Sequence, residues 1–481
     1  MRYIGPVTID MIPEDVLLEI IDWYLDDNDF YNMEGWQTIV HVCRKWRDVV
    51  FGSPLRLNLQ LFCTGKKPVR KILDILPPLP IVISGGHHRK ITGEDNIVAA
   101  LERSDRVCRI HLQEVSSSLW DGILAATQKP FPELTEMELH TSAKEEPHHR
   151  DHHHHHHFQQ TVSDSFLGGS APNLRYLRLS CVPFPGLPKL LPSASTSLVT
   201  LHLLDVPHSG YVPPEAMVTA LSALTRLKKY CLEFRSPRSR PDRGRRRPPP
   251  PTRSVLPALT EFIFVGVSEY LEDFVARVDA PLLDRLEITF FRQVIFHTPR
   301  LAQFIGRTPN LMVHDEAHAI FSNFKAEFAL PRAIRGLSLE VQCSVSDWQL
   351  SMLAQICGSS LPLIPLLEHL YVHENEVNQS LQPSWQDDIE NVQWLELLQP
   401  FTTVKVLYLS QDIAARIAPA LAELVGARAT EMLPALQSLF LEELHTLGRP
   451  VAEAIHKFVA TRQLSDHPIA VSHWDRKQGK R

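Results

Sequence analysis

Several short runs in the sequence have residue types and spacings that could do chemistry. Asp315-Glu316-Ala317-His318 spells a DEAH box. That chemistry needs an upstream GxxxxGK[ST] run, whose backbone N–H groups and lysine cradle phosphate. No such run occurs, so the letters match without the machinery. His314 and His318 stand four apart, the spacing of a helical zinc pair. The glutamate falls two residues after the first histidine instead of one, and no third ligand accompanies them. Residues 148–157, HHRDHHHHHH, are almost pure histidine. Imidazole binds divalent metal, but a specific site needs fixed geometry and outer partners that orient each ring. Residues 236–254 are rich in arginine and proline, with Arg243, Arg245, Arg246 and Arg247 as the basic core. They read first as a solvated loop. Nuclear import fits better than an RNA contact or a polyproline ligand. Glu145-Glu146 lies in polar sequence with nothing to raise a carboxyl pKa. Neither a GxSxG elbow nor a strand-borne GxGxxG is present. The expectation is a non-catalytic protein with no metal and no cofactor.

Composition narrows the class further. The chain has 481 residues, 44% hydrophobic and 22% charged, which is globular and not disordered. A net charge of −6 gives no global argument for nucleic acid or an anionic membrane. No apolar run approaches the roughly 18–20 residues of a membrane helix. The first residues, MRYIGPVTIDMIPEDVLLEI, do not form a secretory signal. The seven cysteines, at 43, 63, 108, 181, 231, 343 and 357, include no CxxC pair. A reducing compartment, cytoplasmic or nuclear, is therefore expected. The sequon at Asn378-Gln379-Ser380 is then not expected to be used. Proline outnumbers glycine, 37 to 20, which points to many short elements.

Those elements begin with a small helical module at residues 10–55. Pro13 sits at a helix start, where its missing N–H costs nothing. Val16, Leu17, Ile20 and Tyr24 follow at helix spacing, then an acidic turn at Asp26, Asp27 and Asp29. A second apolar stripe runs through Trp36, Ile39, Val40, Cys43, Trp46, Val49 and Val50. So short a unit cannot bury three tryptophans, at 23, 36 and 46, within itself. They pack on the rest of the chain or anchor a partner.

The run Ile12-Pro13-Glu14-Asp15-Val16-Leu17-Leu18-Glu19-Ile20, with Val42-Cys43-Arg44-Lys45-Trp46-Arg47, resembles an F-box. The following SPLRLNLQL and KKPVRKILDILPPLPIVI, and the closing RQLSDHPIAVSHWD, are similar to fungal, mushroom-type F-box proteins. The resemblance is strongest over residues 10–85. Ile12 stands where leucine is usual, and the turn at Asp26–Met33 is longer than in a minimal F-box.

Residues 56–481 carry a weak repeat, apolar at i, i+3 and i+5. It fits Val107/Ile110/Leu112, Leu134/Met137/Leu139, Leu174/Leu177/Leu179 and Leu198/Leu201/Leu203. It continues at Leu227/Tyr230/Leu232, Leu259/Phe262/Phe264, Leu283/Leu286/Ile288 and Ile334/Leu337/Leu339. It ends at Leu367/Leu370/Val372, Val404/Leu407/Leu409 and Leu436/Leu439/Leu441, with a degenerate copy at Leu311. Apolar–polar alternation marks short strands. Helical patterns, such as 271–278 and 413–425, lie between them. One strand–helix unit cannot bury its own apolar side, so neighbours must stack. The expected fold is α/β (α+β): F-box helices, then an irregular leucine-rich-repeat-like solenoid of short parallel strands and helices. The segments at 148–157 and 236–254 are insertions. A regular repeat of that kind places Asn or Cys at i+8, whereas Val182, Val206, Val267 and Leu444 stand here.

The resemblance implies a substrate-recognition subunit of an SCF (cullin–RING) ubiquitin ligase, in the ubiquitin-like conjugation pathway. Its partners would be a Skp-type adaptor, the cullin scaffold and an unknown protein substrate, with no membrane. Adaptor contact is expected from Ile12, Pro13, Val16, Leu17, Ile20, Trp36, Val42, Cys43 and Trp46, some of which must instead form the module's core. Outward strand positions would bind substrate: Glu136, Glu138, Tyr176, Arg178, Thr200, His202, Lys229, Arg285, Glu287, His369, Tyr371 and Tyr408. The alternative is a repeat scaffold whose helices only cap its end, without a ligase. Nucleic-acid binding through the arginine run is disfavoured by the net charge.

Overall fold

The structure is a computed structural model. It describes residues 11–26, 35–54, 57, 59–66, 68–86, 91, 93–141, 161–241, 252–292, 296–322, 324–331, 336–343, 347–358, 361–375, 391–442 and 448–475. The histidine run, Glu145-Glu146, the basic core at Arg243–Arg247, the sequon, Ile334, Leu444 and most of the turn at 26–33 lie outside these residues. The chain packs as two compact units, residues 1–201 and 202–481.

The first unit opens with helices α1 (Glu14–Asp26), α2 (Gly35–Ile39) and α3 (Arg44–Gly52). Leu17, Ile21, Trp36, Ile39, Val40, Val49 and Val50 form their shared core. Trp36 donates its indole N–H to the Gln60 carbonyl at 3.0 Å, and Lys45 reaches the Ile12 carbonyl at 2.7 Å. Strands β1 (Leu61–Cys63), β2 (Ile81–Gly85), β3 (Val107–Val115), β4 (Glu136–Thr141) and β5 (Tyr176–Ser180) then lie side by side in chain order, all parallel. Parallel neighbours need crossovers. Helices Val69–Ile75, Glu94–Leu101 and Ser117–Ala126 supply the first of them. Strand β6 (Thr200–Val206) spans residues 201 and 202.

In the second unit, β7 (Lys229–Phe234), β9 (Glu261–Gly266) and β11 (Arg285–Phe290) are parallel neighbours. Beside them β8 (Ser254–Val255) pairs with β10 (Val278–Asp279). One element departs from the parallel pattern. Strand β13 (Lys325–Pro331) runs antiparallel to both β12 (Glu316–Phe321) and β14 (Gly336–Gln342), giving the order β11-β14-β13-β12. Parallel order resumes with β15 (His369–Glu374), β16 (Val406–Leu409), β17 (Ser438–Glu442) and β18 (Ala470–Trp474).

Every described residue of the eleven apolar triplets is buried. The i+5 spacing places the last two on one side of a strand, and the first closes the turn before it. Just after that first residue runs a backbone ladder. Thr135 N–H donates to Cys108, Arg175 to Thr135 and Val199 to Arg175, at 2.8–2.9 Å. In the second unit Lys405 donates to Glu368, Gln437 to Lys405 and Ala470 to Gln437, at 2.8–2.9 Å. These bonds fix the register between copies without an asparagine. Val182, Val206 and Val267, at the i+8 position, are buried and fill it by packing. The degenerate copy keeps Leu311 buried but shifts its strand core to Ala317, Ala319 and Phe321. The helices expected near 271–278 and 413–425 are Ser268–Val275 and Gln411–Ala422.

Candidate protein-interaction surfaces

The N-terminal helices sort the nine expected adaptor residues by exposure. Leu17 and Trp36 are 0% and 2% exposed and belong to the module's own core. Ile12, Cys43 and Trp46 are half-buried, and Trp46 encloses its indole N–H without a hydrogen-bond partner. Pro13, Val16, Ile20 and Val42 face outward, at 44% for Val16, 44% for Ile20 and 51% for Val42. Trp23 and Tyr24 join them at 79% and 43%. Val16, Ile20, Trp23 and Tyr24 recur at i, i+4, i+7 and i+8, which makes a single stripe along α1. Leu17 and Ile21 hold the buried side. Sequence reasoning alone does not pick out Trp23 and Tyr24 as contact residues, although their spacing from Val16 is the signal.

The outward side of the strands carries the expected substrate residues. All are half-buried except Lys229, which is exposed. In the first unit the charges pair across strands. Arg109 lies 3.6 Å from Glu136, His111 lies 3.5 Å from Glu136 and 3.7 Å from Glu138, and Arg178 lies 3.7 Å from Glu138. A hydrogen bond from His111 holds the Glu138 carboxyl below its ordinary range, and Arg178 adds to the effect. In the second unit Lys229 and Arg285 both meet Glu261 at 3.1 Å, and Arg285 meets Glu287 at 2.7 Å. These rows neutralise themselves, and exposed pairs of this kind contribute little net energy.

The later strands of the second unit differ. His318, Tyr371, Tyr408 and Phe440 occupy one register row across β12, β15, β16 and β17. Their rings stack, with centroids 4.5, 4.1 and 4.8 Å apart and interplanar angles of 15°, 6° and 18°. Trp474 of β18 lies against Tyr371 at 5.7 Å and Tyr408 at 5.5 Å. His369 stacks on Tyr408 at 6.2 Å, and His318 Nδ1 lies 3.0 Å from His373 Nε2. Burial pushes the Tyr371 phenol up, helped by its hydrogen bond with Tyr408 and by the Glu316 and Asp315 charges. Burial also raises the Glu316 carboxyl, with Asp315 acting in the same direction.

Thus Tyr371, Tyr408 and His369 come together, while Glu136, Glu138, Arg178, Lys229, Arg285 and Glu287 are each paired with a charged neighbour. Tyr176 lies on an outward position of β5, and Thr200 and His202 on outward positions of β6. Phe440 obeys the same offset as Tyr371 and Tyr408 but was not singled out. His318 sits on a strand and not on a helix, so the i, i+4 metal geometry with His314 does not arise. Among the described residues, no group of three or more His, Cys, Asp or Glu could hold a metal ion. No described helix is long and apolar enough to cross a membrane.

Comparison with solved structures finds similar chains. The chain is similar to the leucine-rich repeat-containing protein LegL7 from Legionella pneumophila, at 13% identity and a TM-score of 0.25, covering 83% of this chain and 97% of that one. No family model and no curated protein matches the chain. The strand registers and the buried triplets themselves make this an α/β protein of stacked, leucine-rich-repeat-like strand–helix copies.

Proposed function

We propose that the chain is the substrate-recognition subunit of an SCF ubiquitin ligase and catalyses nothing itself. The N-terminal helices dock on the Skp-type adaptor, which links the chain to the cullin scaffold. The repeat array holds a protein substrate. The contribution is proximity, which makes ubiquitin transfer effectively local. In this reading the chain works in the cytoplasm or nucleus.

The observation that carries the reading is the outward stripe Val16, Ile20, Trp23 and Tyr24, with Val42 nearby in sequence on the same module. A helical cap that only sealed a solenoid would turn a polar face outward. This helix turns out tryptophan, tyrosine and branched aliphatics, while its opposite face is already buried. Scattered exposed apolar residues are ordinary, but a continuous row of large ones marks an interaction surface. The resemblance of Ile12–Ile20 and Val42–Arg47 to an F-box supplies the identity of the partner.

The test is capture of the purified Skp-type adaptor by the full chain. A Val16→Asp/Ile20→Asp double variant, shown by circular dichroism to stay folded, is expected to lose capture. Trp23→Ala is expected to weaken it by about tenfold or more, as for a hot-spot tryptophan. Failure of the wild-type chain to bind would leave a repeat scaffold without a ligase.

A further inference from the structure

The strands β12, β15, β16, β17 and β18 contain three glutamates, Glu316, Glu374 and Glu442, and no lysine or arginine. That sets them apart from the strands before them, where basic and acidic side chains pair across the rows. On the same five strands lies the stacked row His318–Tyr371–Tyr408–Phe440, with Trp474 against it. Glu316 is on the row beside His369, and Glu442 is the register partner of Trp474.

We propose that this face binds an arginine- or lysine-bearing segment of a partner protein, its cationic group seated on the indole of Trp474, with the carboxylates of Glu442 and Glu316 on the same face. The proposal rests on reading the array as a protein-binding surface, and it names the chemistry of what that surface holds.

Three properties favour a cation. The π face of an indole attracts ammonium and guanidinium groups better than that of any other side chain, and Trp474 is the ring that offers it, since the phenol faces of Tyr371 and Tyr408 are covered by their stacked neighbours. A guanidinium also stacks on aromatic rings and is less strongly hydrated than an ammonium. Among the described residues these five strands carry three carboxylates and neither lysine nor arginine. Asp315 and Glu316 both push the Tyr371 phenol up, so the row lies in a negative field. Stacking has already ordered these rings, so a ligand need not order them. Nucleic acid also stacks on aromatic rows, but its phosphates need a basic lining. These five strands supply neither lysine nor arginine.

The experiment uses the full chain and fluorescence anisotropy at physiological ionic strength, where long-range attraction is screened. The probes are labelled octa-arginine, octa-glutamate and an eight-nucleotide oligothymidylate. Octa-arginine is expected to bind, and the other two are not. Trp474→Ala is expected to weaken octa-arginine binding about tenfold. Glu316→Gln/Glu442→Gln, which leaves every ring in place, is expected to weaken it by a similar factor. Arg70→Ala, at an exposed ion pair with Glu102 outside the array's outward strand rows, is expected to leave it unchanged. Equal binding by all variants would overturn the proposal. Tighter binding of the oligothymidylate, lost with Trp474→Ala, would overturn it in favour of nucleic acid. A chain with residues 240–253 replaced by Gly and Ser is expected to bind as the wild type does. Tighter binding by it would mean that the chain's own arginine run takes the face, and the partner assignment would fall. No adaptor enters this assay, so its failure and the failure of adaptor capture are read separately.

Discussion

Arg462 is fully buried, yet it carries a permanent charge. Its guanidinium donates to the carbonyls of Ala429 at 2.9 Å, Met432 at 3.3 Å, Leu433 at 3.4 Å and Leu436 at 3.1 Å. Burial pushes its pKa down. The four carbonyls line the bend ahead of β17, where Leu433 has a φ of 50°. One side chain therefore serves carbonyls of the short helix Ala427–Glu431 and of the strained turn that follows it. Arg462→Met is expected to cost about 3 kcal/mol, because it strands several buried carbonyls. Arg462→Lys should recover little of that, since a point charge cannot span the same fan of acceptors. The shift in urea midpoint of both variants measures this. The cysteines make a second prediction at this scale. Burial pushes the Cys63 and Cys343 thiols up to about 11, and Cys357 higher still. In the native chain at pH 8, Cys63, Cys231, Cys343 and Cys357 are expected to stay unlabelled by a thiol reagent. Labelling should fall on the half-buried Cys43, Cys108 and Cys181. Peptide mapping by mass spectrometry distinguishes the two groups.

At the scale of elements, neighbouring copies complete one another. Helix Pro299–Gly306 begins at Thr298, whose side chain makes no capping bond. The Glu272 carboxylate, from the helix of the preceding copy, accepts the N–H groups of Arg300 at 3.1 Å and Leu301 at 2.8 Å instead. Glu272→Ala is expected to cost about 1 kcal/mol, as for other lost N-caps, and thermal unfolding would show it. Such a cap is invisible in the sequence, because its two halves lie 28 and 29 residues apart. The strands were legible for the opposite reason. Each apolar triplet is local, and the i, i+3, i+5 spacing survives replacement of leucine by Tyr230, Phe262 or Phe264. The degenerate copy hid β12, because its core residues are two alanines and a phenylalanine at shifted offsets. In α1 nothing in the residue spacing divides Leu17 from Val16, since both suit either face of a short helix. Only packing against α2 and α3 divides them. The ring row was half legible: Tyr371 and Tyr408 followed from the outward offset, but their stacking on His318 and Phe440 needed the register.

Within the second unit each strand touches its immediate neighbours, so stability should be local, as in other stacked repeats. Leu407 of β16 is 0% exposed. Leu407→Ala is expected to cost about 3 kcal/mol. Hydrogen exchange should quicken in β15, β16 and β17 more than in β7 and β9. An unchanged pattern, or a uniform loss across the unit, would contradict nearest-neighbour stacking. The antiparallel strand β13 limits this modularity. Along β15, β16 and β17 a whole copy can be duplicated or deleted, because the strand that leaves and the strand that replaces it point the same way. Between β11 and β15 that freedom is lost. The chain enters at β12, turns back through β13 and reaches β11 only with β14. Gene-level gain or loss there must move residues 316–342 as one block, and a cut inside it would leave two edges of mismatched direction. An array of this design can therefore be lengthened at its C-terminal strands, whereas the hairpin block has to be carried over whole.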